Sequence, residues 1–158
     1  MFDKLIDGLL WVVGMVRSRP RLIVEYASLG GSSAAGSPAK LTVRWRYRVT
    51  ITNLSKEDAL DLTVIRTNIP QLKNLGVHNV KGLEHLELKH QLVKELDKDT
   101  VVSARHDFHG VLEPTELKEL VLVLRYKSGS GVTWYTDYVR SRSNKPNTWS
   151  FRQPKPGA

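Results

Sequence analysis

Between Leu41 and Asn53 the chain alternates strictly. Leu41, Val43, Trp45, Tyr47, Val49 and Ile51 take one parity, and Thr42, Arg44, Arg46, Arg48, Thr50 and Thr52 take the other. A period of two over that length predicts a long strand with one face in a core and the other in water. Its β-branched and aromatic residues suit a pleated surface. Further strands are predicted over Leu22–Ala27, Leu60–Thr67 (Leu60, Leu62 and Val64 inward), Val101–Phe108, Leu117–Tyr126 and Val132–Arg140. A short last strand falls near Trp149–Phe151, and Lys127-Ser-Gly-Ser-Gly131 reads as a hairpin loop. Residues 86–96 place Leu86, Leu88, Leu92 and Leu96 on one parity, yet their Glu, Lys and Leu content equally suits a helix. Both assignments stay open there.

The start of the chain has a different period. Phe2, Ile6, Leu9, Val13 and Val16 fall at helical spacing, and Leu5, Leu10, Trp11, Val12 and Met15 widen the stripe. A helix over residues 1–16 would be about 24 Å long, short of the roughly 30 Å hydrocarbon core of a bilayer. The weakly acidic start and the lack of a small-x-small cleavage site also disfavour a secretory signal. Three readings remain for this segment: it lies in a membrane interface, it docks on a partner or a second copy, or it caps its own domain. Pro20 ends the helix, since its ring and missing N–H do not suit a helix interior.

About seven strands at this spacing predict an all-β fold, an antiparallel two-sheet sandwich with a short N-terminal apolar helix. The chain then divides into three regions: a helix over 1–19, a sandwich over 20–142 and a flexible basic, proline-containing tail over 143–158. Residues 28–40, SLGGSSAAGSPAK, read as a flexible loop between the first two strands. The run RYRVTITNLSKEDALDLTV resembles an Ig-like or fibronectin type III-like core strand, its Asn-led turn and its partner strand. LEPTELKELVLVLRYKSGSGVTWYTDYV resembles the final hairpin of such domains. The resemblance covers roughly residues 20–140 and is one of fold. It implies an adhesive or scaffolding accessory module and transfers no site.

Charge and composition sharpen this picture. The chain has 158 residues, no cysteine and a formal net charge of +8. It is long enough to bury a core without disulfides or metal. Residues 17–48 hold seven basic residues against Glu25, whereas residues 49–139 hold eleven basic and thirteen acidic residues. The tail from Arg140 adds Arg142, Lys145, Arg152 and Lys155 with no acid. The positive excess therefore belongs to two segments and not to the body of the domain, a distribution that attracts phosphates or anionic headgroups or simply favours solubility.

Candidate chemistry is sparse. Gly31-Ser-Ser-Ala-Ala-Gly36 has the glycine spacing of a phosphate-binding loop, but Ser37-Pro38 replaces the required Lys-Ser/Thr and a strand comes next. His106-Asp-Phe-His109 is the one close histidine pair with a carboxylate, and opposite strand parity turns the two rings apart. Glu113, Glu116 and Glu119 space like a solvated turn, and Asn53-Leu-Ser55, though it matches a glycosylation acceptor, reads more plainly as a turn. No catalytic or metal residues and no cofactor are assigned.

Arg44, Arg46 and Arg48 form the most suggestive constellation, because alternation sets them on one sheet face about 6.6–6.8 Å apart. That repeat is close to the phosphate spacing of an extended single strand, but Trp45 and Tyr47 have the opposite parity and offer no stacking platform. The plain alternative is a solvated face neutralised by acids on neighbouring strands, such as Asp61 or Asp107. The sequence thus predicts a non-enzymatic binding or scaffold module. Its tether to a membrane surface or partner complex is the helix residues Phe2, Leu5, Ile6, Leu9, Leu10, Trp11, Val13 and Val16. Arg17, Arg19, Arg21, Arg44, Arg46 and Arg48 are its candidates for an anionic surface. The implied location is cytoplasmic, membrane-peripheral where the helix lies on a bilayer; if the segment inserts, the basic residues after the apolar run would keep the adjoining domain inside. Alternatives are a nucleic-acid-binding protein using the strand face and tail, and an oligomeric assembly subunit of a larger particle.

Overall fold

The computed structural model describes residues 19–35, 39–97 and 113–156. The N-terminal helix expected over 1–19 and the strand expected over Val101–Phe108 lie, apart from Arg19, outside the described residues. Eight strands and two single-turn helices are present among them. In chain order they are β1 (Leu22–Ala35), β2 (Lys40–Asn53), β3 (Ala59–Thr67), α1 (Pro70–Lys73), β4 (His78–Val80) and β5 (His85–Asp97). The remainder are α2 (Thr115–Lys118), β6 (Val121–Lys127), β7 (Thr133–Val139) and β8 (Asn147–Ser150). Two sheets form, a three-stranded one of order β1-β2-β5 and a five-stranded one of order β4-β3-β6-β7-β8. All pairings are antiparallel.

The alternation read in β2 sets the core. Val43, Tyr47, Val49 and Ile51 are buried, while Arg44 and Arg46 on the other parity are exposed. From the opposite sheet Leu62, Leu122, Leu124, Tyr126, Trp134 and Tyr138 meet them. Ile69 just before α1 and Leu72 within it, with Leu117 in α2 and Leu120 just after it, close one end. Each fully buried leucine of this set contributes about 1.5–3 kcal/mol relative to an exposed one.

The structure settles residues 86–96 as strand. β5 pairs with β2 from Thr52↔His85 to Lys40↔Asp97 without a register shift. Its even residues turn inward and its odd ones outward. Helix propensity loses because a strand here puts Leu86, Leu88 and Leu92 over one core, while a helix would strand half of them.

Residues 28–35 are also strand, which corrects the loop expected over 28–40. β1 continues opposite β2 from Ser28↔Tyr47 to Ala35↔Leu41. A bulge between Ser28 and Gly30, with Gly30 at φ 90°, absorbs one extra residue. Gly31, one of the small residues that suggested a loop, lies under the neighbouring ring instead. A Cβ on Gly31 would lie 2.5 Å from Cε3 of Trp45.

β8 lies within the stretch assigned from sequence to the tail, and it seals a seam between the sheets with side chains. The Asn147 carboxamide accepts from the Val24 N–H (2.9 Å) and donates to the Val24 carbonyl (3.0 Å). Trp149 Nε1 (2.7 Å) and Thr136 Oγ1 (2.9 Å) both donate to the Leu22 carbonyl. Farther on, Arg66 donates to the Lys155 carbonyl, so the chain after β8 returns to the outer side of the five-stranded sheet.

Candidate binding surfaces

The strongest surface feature is the outer face of the three-stranded sheet. Registration places Arg48 between Ala27 and Lys89, Arg46 between Gly30 and Gln91, and Arg44 between Ser32 and Val93. Four cations thus occupy three consecutive rows, and Arg44 lies about 13 Å along the strand from Arg48. The β1 side of these rows carries only small residues, so the arginines stand above a low floor. Acids bound the strip at both ends: Glu25 and Glu87 flank Thr50, and Glu95 faces Thr42.

Neutralisation within the strip is slight. Glu87 pairs with Lys89 at 3.2 Å, but Arg44, Arg46 and Arg48 take part in no ion pair among the described residues. Asp61, one acid expected to balance them, sits on β3 in the other sheet, where its N–H bonds Asn79. Asp107, the other, lies outside the described residues. A hollow of about 370 Å³ opens beside Arg46, lined also by Leu29, Lys89, His90 and Gln91.

Arg19 and Arg21 stand apart from this strip. Their guanidinium groups lie over the rings of Trp134 (5.2 Å) and Trp149 (5.6 Å), near the seam closed by β8. Arg17 and the apolar residues Phe2, Leu5, Ile6, Leu9, Leu10, Trp11, Val13 and Val16 lie outside the described residues, as do His106 and His109.

A second polar cluster joins the sheets and was not visible in sequence. Arg140 grips Glu113 with both nitrogens (2.5 and 3.2 Å), donates to the Leu117 carbonyl (2.8 Å) and lies 3.9 Å over the Tyr26 ring. The Tyr26 hydroxyl donates to the same carboxylate at 2.5 Å and accepts from Trp45 Nε1 at 3.3 Å. Burial, then the Glu113 carboxylate, raises the Tyr26 pKa far above its ordinary value. Burial alone pushes the neighbouring Tyr47 up to about 12. Both phenols are therefore held neutral, and every member of the cluster already has a partner. Its chemistry is that of a clamp. Glu116 pairs with Lys94, whose hydrogen bond lowers its pKa, so two of the three glutamates read as a solvated turn are ion-paired. The cue for this cluster was absent because Tyr26, Glu113 and Arg140 lie far apart in the chain.

Asn53 is a structural pin and no free acceptor. Its Oδ1 accepts from the Ser55 N–H and hydroxyl (3.1 and 2.8 Å), and its Nδ2 donates to the carbonyls of Glu57 and Val80 (2.7 and 3.1 Å). Among the described residues no group of three or more histidines or carboxylates could hold a metal ion, and no helix is long and apolar enough to cross a membrane. Comparison of the chain with known protein families, with curated proteins and with solved structures found no match.

Proposed function

We propose that this chain is a non-enzymatic β-sandwich binding module that holds an anionic partner on the outer face of its three-stranded sheet. Its N-terminal apolar segment is the tether. The observation that carries this reading is the row of Arg48, Arg46 and Arg44 with Lys89, bounded by acids but without ion pairs for the three arginines among the described residues. Exposed cations in line attract an anionic ligand most strongly when no local carboxylate competes. The Tyr26–Glu113–Arg140 cluster spends its polar groups on one another and adds nothing to this surface.

An Ig-like or fibronectin type III-like ancestry fits the same reading. Strands one, two and five oppose strands three, six and seven, as in those sandwiches. β4 pairs with β3, whereas the immunoglobulin order would set the fourth strand beside the fifth.

The rows of the strip also favour a second reading, a nucleic-acid backbone as the ligand, since the arginine repeat approximates phosphate spacing. Fluorescence anisotropy with a labelled single-stranded oligonucleotide and with labelled polyglutamate separates the two ligands. The full chain should bind one of them with affinity that falls steeply as salt rises, and Arg44→Glu/Arg46→Glu/Arg48→Glu should abolish it. If neither polyanion binds at low salt, the strip is an ordinary solvated face.

A further inference from the structure

The end of the sandwich at which the chain arrives from its N-terminal segment gathers apolar side chains that the core leaves unused. Leu22 faces Asn53 and Thr52 faces His85, so the turns after β2 and before β5 lie side by side there. They are locked together: Leu83 N–H donates to the Ser55 carbonyl (2.9 Å), Gly82 N–H to the Asp58 carboxylate (2.9 Å) and Leu54 N–H to the Arg21 carbonyl (2.8 Å). A Cβ on Gly82 would overlap the Lys56 carbonyl, so the two turns meet backbone to backbone. On this rigid base Leu54 is 52% and Leu83 66% exposed. Leu83 holds φ 64°, a left-handed conformation that glycine or asparagine adopts far more readily. Phe151 comes directly after β8 at the same end, 65% exposed and edge-on to Trp134 at 6.4 Å.

Cations sit among these tips. Arg152 lies over the Phe151 ring at 5.6 Å, and Arg19 and Arg21 lie over Trp134 and Trp149. Lys56 and Lys81 offset Glu57 and Glu84 on the two turns, and the Asp58 carboxylate, which accepts from the Gly82 N–H and keeps its charge, is outnumbered by Arg19, Arg21 and Arg152.

We propose that this end of the sandwich rests on an anionic membrane surface, with Leu54, Leu83 and Phe151 in the interfacial layer and the arginines at phosphate depth. The proposal rests on the reading of the N-terminal segment as a tether and names what it is tethered to. Three single apolar tips on separate turns suit a bilayer interface, which accepts scattered protrusions and places cations beside them. In sequence the apolar run ends at Val16, three residues before Arg19, where the described chain enters this end, so a tether there and the tips would meet the same surface.

The test is partitioning of the full chain onto phosphatidylcholine–phosphatidylserine vesicles, measured by co-sedimentation, with two variants. The tip variant is Leu54→Ser/Leu83→Gly/Phe151→Ser, in which glycine suits the backbone at 83 and folding is checked by an unchanged thermal midpoint. The tether variant is Leu9→Glu/Val13→Glu. The tip variant should bind about 30-fold more weakly, from the apolar area it withholds from the interface. Tip partitioning equal to wild type, with binding lost only in the tether variant, overturns this proposal and leaves the tether standing. Weakening in the tip variant alone supports the proposal and removes the tether. No partitioning of the wild-type chain overturns both, and discrete self-association that the tip variant abolishes overturns this proposal.

Discussion

Replacing Asn53 by alanine tests how the turn after β2 is held at the proximal end of the sandwich, the end at which β1 begins and β2 finishes. Its carboxamide makes four hydrogen bonds, and Asn53 itself is 1% exposed. Water can reach Ser55 and Glu57, so three of these losses are partly recovered. The Val80 carbonyl lies in the core and is left without its side-chain partner. Taking about 1 kcal/mol for the three partly recovered bonds together, plus about 1–3 kcal/mol for the unsatisfied buried acceptor, the loss is about 3 kcal/mol. With a urea m value of about 2 kcal/mol/M the midpoint should fall by about 1.5 M at unchanged m. Urea titration followed by fluorescence of Trp45, Trp134 and Trp149 reads this directly. Asn53→Asp should cost at least as much, since it keeps the acceptor for Ser55 but sets a carboxylate against two carbonyls. A loss below about 1 kcal/mol in Asn53→Ala would refute the view that this side chain pins the turn.

Other perturbations probe the remaining contacts. Arg140→Ala leaves Glu113 partly buried without its cation and should destabilise by about 3–5 kcal/mol, more than Glu113→Gln, in the same urea titration. Gly82→Ala forces a Cβ into the Lys56 backbone and should cost more than about 3 kcal/mol, whereas Gly31→Ala, meeting a half-buried tryptophan ring that can shift, should cost about 1–2 kcal/mol. Burial raises the Tyr47 pKa from 10.0 to about 12, so its stabilising neutrality is complete below pH 10 and is lost as pH rises through about 12. Phenolate absorbance should show Tyr47 ionising only as pH approaches about 12, and Tyr47→Phe should flatten the alkaline fall in stability.

The strands with unbroken periodicity were legible from sequence, and β2 most of all, because its inward and outward sets never mix. β3 was legible only in outline: Asp61 at φ 52° and two register shifts break its parity, and Leu60 ends half-buried. The second half of β1 was illegible because its pairing is backbone to backbone. Side-chain pattern carries no trace of a ladder whose residues are Gly, Ser and Ala. The basic strip was legible for its β2 row alone. Lys89 joins it, and Asp61 leaves it, through sheet order, which no local pattern encodes. The apolar end was equally hidden, since Leu54, Leu83 and Phe151 are single residues in polar turns. Only the register of three strand pairs brings them together.

That same register separates the two proposed surfaces. At about 3.4 Å per residue, Arg48 lies about 17 Å from Asn53 along β2, and Arg44 about 31 Å. With the proximal end on a bilayer, the strip therefore stands along the membrane normal and faces sideways. Its nearest arginine is about two Debye lengths from the headgroups at physiological salt. Lipid charge is screened over that span, so the strip stays free for a ligand of its own and adds little to membrane attraction. Arg44→Glu/Arg46→Glu/Arg48→Glu should consequently leave vesicle partitioning at physiological salt within about twofold of wild type, while abolishing polyanion binding. The tip variant should do the reverse. A strip variant that loses vesicle binding as fully as the tip variant would mean that the sheet face, and not the end of the sandwich, lies against the membrane.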